Sequence, residues 1–431
     1  MKAMPSTLAA WLDYIQTIHY RSPDISLDRV RRVHRKMNLG RPSIVISVAG
    51  TNGKGSSVSL LEAIFRSTGK SVGIYTSPHL IAYNERIRID GVDASNTQIT
   101  SAFEYVENAR HEIPLTYFEY GTLTALQIFQ QSSVDIIVLE VGMGGRLDAV
   151  NIEDPDVVLL TSIAIDHERW LGYTRDAIGH EKAGLLKPYS RAVLNDADVP
   201  ESVIDRANAL SCQYVINGVH YNYSLDDSFW HWTSLGDSPL SGDESNLPMP
   251  NLLGHHQVLN AAGVVATVRM LAPDLEVSRE NIVDGLVNAR LRGRIEVYSL
   301  RPDVVVDVCH NESAAYELLL YLMGNPIIGQ LYAIFSMLED KHINLVVDMF
   351  KHSFYSWHIA RINSDRASSV AHLKNIVGAH TSRPITCWDS PAEALRGVRS
   401  QARQNDRIVV FGSTYLAGAI LSIIDRERCN T

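Results

Sequence analysis

Val48-Ala49-Gly50-Thr51-Asn52-Gly53-Lys54-Gly55-Ser56-Ser57 lies between an apolar, β-branched run, Ile44–Val48, and a stretch of helical periodicity that reaches about Thr68. A strand, a glycine-rich turn and a helix in that order make a phosphate cradle. Glycines let successive N–H groups converge on phosphate oxygens, Lys54 adds positive charge, and the helix presents the positive end of its dipole. Gly69 then offers a C-terminal cap. The spelling departs from the general phosphate-loop pattern, which would put glycine where Val48 stands and Ser or Thr where Gly55 stands. A turn that binds no nucleotide remains an alternative for the motif alone. The strand before it and Ser56-Ser57 after it favour ATP or GTP chemistry.

Outward from this loop, apolar β-branched runs alternate with helix-length segments, as in a parallel sheet covered by helices. In the first two thirds the runs are Ile44–Val48, Ser71–Tyr75, Val134–Glu140, Val157–Thr161 and Ala192–Leu194. From about Asn217 to Pro250 the chain turns polar and aromatic, with Trp230 and Trp232, and reads as strands and loops appended to the same domain. Helical periodicity returns over Gln257–Leu271 and Arg279–Ala289. Leu291-Arg292-Gly293-Arg294 then leads into a second alternating set, with strands near Val304–Val308, Leu331–Ser336, Trp357–Arg361, Ile385–Trp388 and Arg407–Phe411. The expected fold class is α/β. A phosphate-loop sheet domain flanked by helices spans 1–294, and a smaller Rossmann-like open α/β domain spans 295–431.

A chain of 431 residues has material for two or three domains, and 45% apolar with 20% charged residues is ordinary for a soluble protein. No apolar run reaches membrane-spanning length. The N-terminal stretch holds Trp11 and Asp13 rather than a basic head and an apolar block, so no secretory signal is expected. Cys212, Cys309, Cys387 and Cys429 lack paired metal or redox spacing and read as reduced thiols of a cytoplasmic protein. A formal charge of −9 argues against a general nucleic-acid surface. Anionic ligands must therefore be held by local cations: Lys54, Arg146, Arg294 and a divalent metal.

Other strand ends carry what a metal–nucleotide site needs. Glu140 closes one run, and the glycine-rich Val141-Gly142-Met143-Gly144-Gly145-Arg146-Leu147-Asp148 follows at once. Asp166-His167 follows Thr161–Ile165. Ligands of open α/β sheets sit beyond the carboxyl ends of strands, so Lys54, Glu140 and His167 can converge. Mg²⁺ takes oxygen ligands and keeps water and phosphate in its shell, so one carboxylate plus a hydroxyl suffice, and Glu140 suits that role. Taken singly, Glu140 also reads as a strand-end partner of Arg146, and His167 as a hydrogen-bonding loop residue.

Ten elements in order then resemble the folylpolyglutamate synthase/dihydrofolate synthase family of the Mur ligase superfamily, nearly end to end. They are Gly50–Ser56, Thr76–Leu80, Leu115–Thr122, Leu139–Asp148, Thr161–His167, Glu181–Gly184, Asn260–Ala262, Arg292–Arg294, Asp307–Asn311 and Phe411–Ser413. The resemblance implies an ATP-dependent ligase. It would move the γ-phosphoryl group of ATP to a carboxylate and let the amine of L-glutamate attack the acyl phosphate, giving an amide, ADP and phosphate. Dihydropteroate and reduced folates would be the acids. From charge and the lack of a spanning run no nucleic-acid or membrane partner is expected, and a monomer is the simpler expectation for a site assembled between domains of one chain, although the sequence does not give the oligomeric state.

By the same resemblance, Thr51, Asn52, Gly53, Lys54, Gly55 and Ser56 cradle the phosphates. Asn260, Arg294 and Asp307 contact the adenine, phosphate and ribose portions. Ser77, Glu140 and His167 hold two Mg²⁺ ions. Lys182 matches the lysine that such ligases carbamylate into an anionic ligand near the second metal. A nucleotide reaching both domains would couple closure to assembly of the site and keep water from the acyl phosphate. L-Glutamate is expected near His310 and Ser413, with His310 orienting a carboxylate or helping remove a proton from the amine. Lys54, Glu140, His167, Lys182 and His310 form the implied catalytic set. Asp24, Ile25, Ser26, Thr116, Tyr117, Phe118, Glu119 and Asp148 match the dihydropteroate pocket of bifunctional members, where Phe118 can stack on the pterin.

Each assignment has a plainer counterpart: Lys182 as a solvated surface charge, Arg294 as a linker arginine in an interdomain salt bridge, Phe118 as a core ring, His310 as a structural histidine. The chain also departs from the family pattern twice. His310-Asn311-Glu312-Ser313 stands where His-Asn-Pro is usual, and Ser336-Met337-Leu338-Glu339-Asp340-Lys341-His342 stands for Gly-x-Leu-x-Asp-Lys-Asp. These departures make the amino-acid site less determined than the ATP site. The bifunctional activity is the favoured expectation, because pterin-site matches stand beside a complete ligase framework. A monofunctional folylpolyglutamate synthase, a cell-wall amino-acid ligase and a phosphate-loop binding protein without turnover are the alternatives.

Overall fold

A computed structural model of the chain describes residues 4–19, 26–240 and 242–429. It divides into two compact units, one of residues 1–78, 83–251 and 257–290, the other of residues 79–82, 252–256 and 291–431.

The first unit opens with helices α1 (Leu8–Ile18) and α2 (Asp28–Met37), then runs β1 (Ile44–Ala49), α3 (Lys54–Ser67) and β2 (Val72–Tyr75). A hairpin of β3 (Ile87–Ile89) and β4 (Val92–Asp93) leads to α4 (Asn96–Arg110), α5 (Tyr117–Gln131) and β5 (Ile136–Glu140). Then come β6 (Val157–Leu160), α6 (Glu168–Leu171), α7 (Arg175–Ala183), β7 (Arg191–Leu194), α8 (Glu201–Ala209) and β8 (Gln213–Ile216). Strands β9 (Tyr221–Leu225), β10 (Phe229–Ser234) and β11 (Glu244–Pro248) form a separate antiparallel sheet. Helices α9 (His256–Met270) and α10 (Arg279–Asn288) follow.

The main sheet has the order β4-β3-β2-β5-β1-β6-β7-β8, parallel except at the β3–β4 edge. Every residue of β1 and β5 is buried, which is why their sequences are continuous apolar runs rather than alternating ones. From β1 the chain crosses to β2, and from β5 it crosses over β1 to β6, so the carboxyl end of β1 is where the connections diverge. Such a switch point leaves a crevice for ligands. Helix α5 is buried almost all round, from Glu119 to Phe129, and its apolar sequence answers that position. The small sheet is anchored by two buried indoles: Trp230 Nε1 donates to Pro248 O at 2.9 Å, and Trp232 Nε1 donates to Ala262 O of α9 at 3.2 Å.

The second unit runs β12 (Glu296–Tyr298), β13 (Asp303–Val306), α11 (Glu312–Gly324), β14 (Leu331–Phe335), α12 (Ile343–Phe350) and β15 (Ser356–Ala360). It ends with α13 (Val370–His380), β16 (Ile385–Trp388), α14 (Pro391–Gln401), β17 (Arg407–Phe411) and α15 (Thr414–Cys429). The sheet order is β12-β13-β17-β14-β15-β16, with β12 antiparallel and the rest parallel. Strand β17 therefore returns between β13 and β14, and the loops leaving these three strands gather at one end.

The long continuous part of the second unit starts at Leu291, a few residues ahead of the 294/295 boundary expected from the sequence, and the short stretches 79–82 and 252–256 also fall in it. Backbone and ionic contacts explain the shift. Arg292 Nη1 lies 2.6 Å from Asp425, Gly293 N donates to Glu296 at 2.8 Å, and Gly293 O accepts from Val308 N at 3.0 Å. Among the described residues no helix is long and apolar enough to cross a membrane.

Candidate active site

The phosphate loop is closed by its own backbone and by the strand beside it. Thr51 N donates to Ser162 O at 2.7 Å, Thr51 Oγ1 donates to Ala164 O at 2.9 Å, and Thr161 Oγ1 donates to Asn52 O at 2.7 Å. Two glycines are required by geometry. A Cβ on Gly50 would lie 1.7 Å from Thr161 Oγ1, and one on Gly53, at φ +86°, would lie 2.3 Å from Asn260 Oδ1. Asn260 is thereby placed against the loop, and its Nδ2 donates to Gln257 at 3.0 Å. Thr161 fixes the loop as firmly as the glycines do. Its signal in the sequence was its place at the end of a strand run.

Two lysines meet at one carbonyl. Lys54 Nζ donates to Gly50 O at 3.0 Å and Thr51 O at 3.1 Å, and Lys182 Nζ, from α7, donates to the same Gly50 O at 2.9 Å. Lys182 is 4% exposed, so the solvated-surface alternative falls. Burial, then the neighbouring Lys54 charge, pushes its amine down to about 7.

Glu140 pairs in register with Val48, directly before the loop, and its Oε2 accepts from Ser77 N at 3.3 Å. This puts a buried carboxylate and a serine beside the phosphate cradle, a donor set that fits a hard divalent cation. His167 stands at the start of α6 with φ +53°, its N donating to Asp166 Oδ1 at 2.7 Å and its Nε2 4.0 Å from Asp166 Oδ2. Among the described residues no three His, Cys, Asp or Glu side chains gather into a metal cluster. A cation held at Glu140 would complete its shell with water and phosphate oxygens.

Arg146 joins Glu181 at 3.0 Å, not Glu140, and Arg146 N donates to Glu181 O at 2.8 Å, docking the 142–148 loop on the end of α7. Asp148 organises that loop by accepting from Met143 N at 2.8 Å and Val150 N at 3.1 Å, and burial pushes its carboxyl up to about 6. Phe118 packs on Gly142, where a Cβ would meet its ring at 2.7 Å, and lies 5.8 Å from Tyr75. Its ring is half-buried rather than sealed in the core. Tyr117 stands edge-on to Tyr83 at 5.9 Å, and Arg86 lies 5.5 Å from both rings.

Thr116 and Glu119 have a job of their own as the capping box of α5: Glu119 N donates to Thr116 Oγ1 at 3.2 Å, and Thr116 N to Glu119 Oε2 at 2.7 Å. Arg29 of α2 pairs with Glu119 at 3.3 Å, a partner that no sequence spacing announced. Burial raises the Glu119 carboxyl above its ordinary range. Ser26 Oγ accepts from Asp28 N at 3.3 Å, whereas Asp24 and Ile25 lie outside the described residues.

In the second unit Asp307 accepts from Ile295 N at 2.8 Å and Cys309 N at 2.7 Å. Burial raises its carboxyl, and the positive charge of Arg294 partly offsets this. His310 Nδ1 is 3.0 Å from Val308 O, and because a carbonyl only accepts, Nδ1 carries a proton and donates in this contact. Ser413 is buried and caps α15, its Oγ accepting from Leu416 N at 3.2 Å. Asp307, His310 and Ser413 thus follow β13 and β17, which are neighbours in the sheet.

A phosphate-loop α/β unit followed by an open α/β unit is the build of the Mur-type ligases. Residues 48–268 match the Mur ligase middle domain, and residues 293–414 match the Mur ligase glutamate ligase domain. The chain is 38% identical over 424 residues to the dihydrofolate synthase/folylpolyglutamate synthase of Escherichia coli K12, covering 98% of this chain and 97% of that protein. It is similar in structure to E. coli FolC in complex with DHPP and ADP, at a TM-score of 0.92 and 37% identity, over 99% of this chain and 100% of that one. A bifunctional folylpolyglutamate synthase/dihydrofolate synthase with Mn, AMPPNP and L-glutamate bound matches at a TM-score of 0.88 and 36% identity, covering 97% and 98%. The chain belongs to the dihydrofolate synthase/folylpolyglutamate synthase family of ATP-dependent ligases.

Proposed function

We propose that this chain joins L-glutamate to dihydropteroate, forming dihydrofolate, and to the γ-carboxylate of reduced folates. The observation that carries the reading is the convergence of Lys54 and Lys182 on Gly50 O, in the loop that Glu140 borders through Val48. The turn Thr51–Ser56 cradles the phosphates, Asn52 to Ser56 offering backbone donors while Thr51 N holds the loop on Ser162 O, and the Lys54 ammonium, placed on two loop carbonyls, would pair with the γ-phosphoryl group. Asn260, against Gly53, takes the base, and Arg294 and Asp307 take the phosphate and ribose portions. Bound Mg²⁺, two ions in this reading, supplies charge neutralisation on the reacting oxygens. Ser77, Glu140 and His167 are the residues that would hold it.

Lys182 deepens this assignment. Its neutral amine would add to CO₂, forming a C–N bond and losing a proton to water, and the resulting carbamate would offer oxygen donors beside the residues that would hold the cation. Phe118, Tyr117 and Asp148, with Ser26, Thr116 and Glu119, shape the pterin pocket, Phe118 and Gly142 forming a flat wall for the ring. Asp24 and Ile25 belong to the same proposal. His310 Nε2 and Ser413 receive L-glutamate, with His310 taking a proton from its ammonium as the amine attacks.

The test is ADP release with and without acceptor and L-glutamate, given separately with dihydropteroate and tetrahydrofolate. Both acceptors should support glutamate-dependent turnover. Lys54→Ala and Glu140→Ala should each lose about 100-fold or more, the scale of a removed transition-state charge contact. Equal rates in all three proteins would refute the site. Turnover with tetrahydrofolate alone would leave a monofunctional enzyme.

A further inference from the structure

Glu312 and His342 come from separate loops of the second unit and meet there. His342 Nδ1 lies 3.0 Å from Glu312 Oε1. A carboxylate only accepts, so Nδ1 carries the proton in this contact. Glu312 opens α11 immediately after His310-Asn311, and His342 is the residue before α12, on the loop leaving β14. Because β17 lies between β13 and β14, the pair joins the loops on either side of Gly412-Ser413.

The exposure of the two side chains, 33% for Glu312 and 45% for His342, separates two roles. An ion pair this open contributes little to folding. Its effect on charge is larger. L-Glutamate brings two carboxylates, and a bare Glu312 beside His310 would repel them. Paired with the imidazole N–H, the carboxylate is held at a fixed point and one of its oxygens is taken up by a donor.

We infer that His342 is a positioning residue for the amino-acid substrate: it holds and screens the Glu312 carboxylate so that L-glutamate can approach the His310–Ser413 stretch. This inference rests on the proposed use of the second unit as the L-glutamate site.

The experiment measures ADP release against L-glutamate concentration for wild type, His342→Ala, Glu312→Gln and the double variant. His342→Ala should raise the KM for L-glutamate about tenfold, by exposing a like charge, with kcat and the KM for ATP changed less than about twofold. The double variant should return that KM to within about twofold of wild type, because removing the carboxylate removes the need for its partner. If the pair is only a staple between loops, the double variant will be at least as impaired as His342→Ala, and that result overturns the inference. An unchanged KM in His342→Ala overturns it as well. Should His342→Ala melt early, His342→Asn keeps a donor of similar reach and should hold KM near wild type. Absence of glutamate-dependent ADP release in the wild type would instead remove the functional reading, and this inference with it.

Discussion

Lys182 is 4% exposed and shares a carbonyl with Lys54, so burial and a neighbouring positive charge both disfavour its ammonium form. Lys182 falls from its ordinary 10.5 to about 7, so above pH 7 its amine is mostly neutral in the folded protein and able to add to CO₂. The expected outcome is that ADP release drops in bicarbonate-depleted buffer and recovers on adding bicarbonate at pH 8, with weaker recovery at pH 6, where the amine is protonated. Lys182→Ala should ignore bicarbonate; a wild type equally indifferent would dismiss the carbamate. Gly53 makes a second residue-scale prediction. Alanine there meets Asn260 Oδ1 at 2.3 Å in a left-handed conformation, so nucleotide affinity should fall about tenfold and stability by about 1–2 kcal/mol. Equilibrium nucleotide binding and urea unfolding read these directly. At this scale the motif glycines and Lys54 were legible in the sequence. The burial of Lys182 was not, because it depends on where α7 lands.

Elements were legible where a repeat or a run was long enough to speak. The strand runs Ile44–Val48, Ile385–Trp388 and Arg407–Phe411 appear within a residue of the elements observed. Strand β12, three residues long, carried no periodic signal, and the β3–β4 hairpin is equally short. Helix α2 buries Val30, Val33 and Met37 at helical spacing, but its run of basic residues hid the stripe. Pairing across strands creates chemistry no run shows. His358 of β15 is buried, takes a hydrogen bond on Nδ1 from Trp388 Nε1 of β16 at 3.1 Å, and so presents its Nε2 proton to Ser356 Oγ at 2.9 Å. Burial pushes this imidazole from 6.5 down to about 4. The unfolded chain then binds the proton first as pH falls. Stability should therefore be intact above pH 6.5 and decline by about 2–3 kcal/mol on the way to pH 4. Denaturant unfolding at several pH values should show that slope for wild type and a flatter one for His358→Gln. At α5, Thr116→Ala should cost about 1 kcal/mol by opening the capping box. It should also raise the KM for dihydropteroate, since Phe118 stands in the first turn of that helix.

At the scale of the molecule, the match to bifunctional synthases holds over nearly the whole length, so both units belong to one enzyme rather than to a fusion of unrelated parts. Ligand linkage gives a global readout. A nucleotide with a divalent cation at about 100 times its dissociation constant should stabilise the protein by about 2.7 kcal/mol, provided it binds only the folded state. Thermal unfolding with AMPPNP and Mn²⁺ should show an upward shift, EDTA should reduce it, and Lys54→Ala should abolish most of it. A shift of the same size in Lys54→Ala would move the nucleotide away from this loop. The formal charge of −9 makes the local arrangement decisive, since overall the protein repels the anions it is proposed to bind.

The longer strands and helices, the phosphate loop and the family were written in the chain, because they depend on local periodicity and on motifs whose residues are neighbours. Tertiary structure alone decided that Lys182 and Lys54 share a carbonyl, that Asn260 fills the space a Gly53 side chain would need, and that Glu312 finds His342. Those pairs are joined by the way helices and loops pack on the sheets, not by spacing. Burial and electrostatic neighbourhood arise only when distant segments are packed side by side.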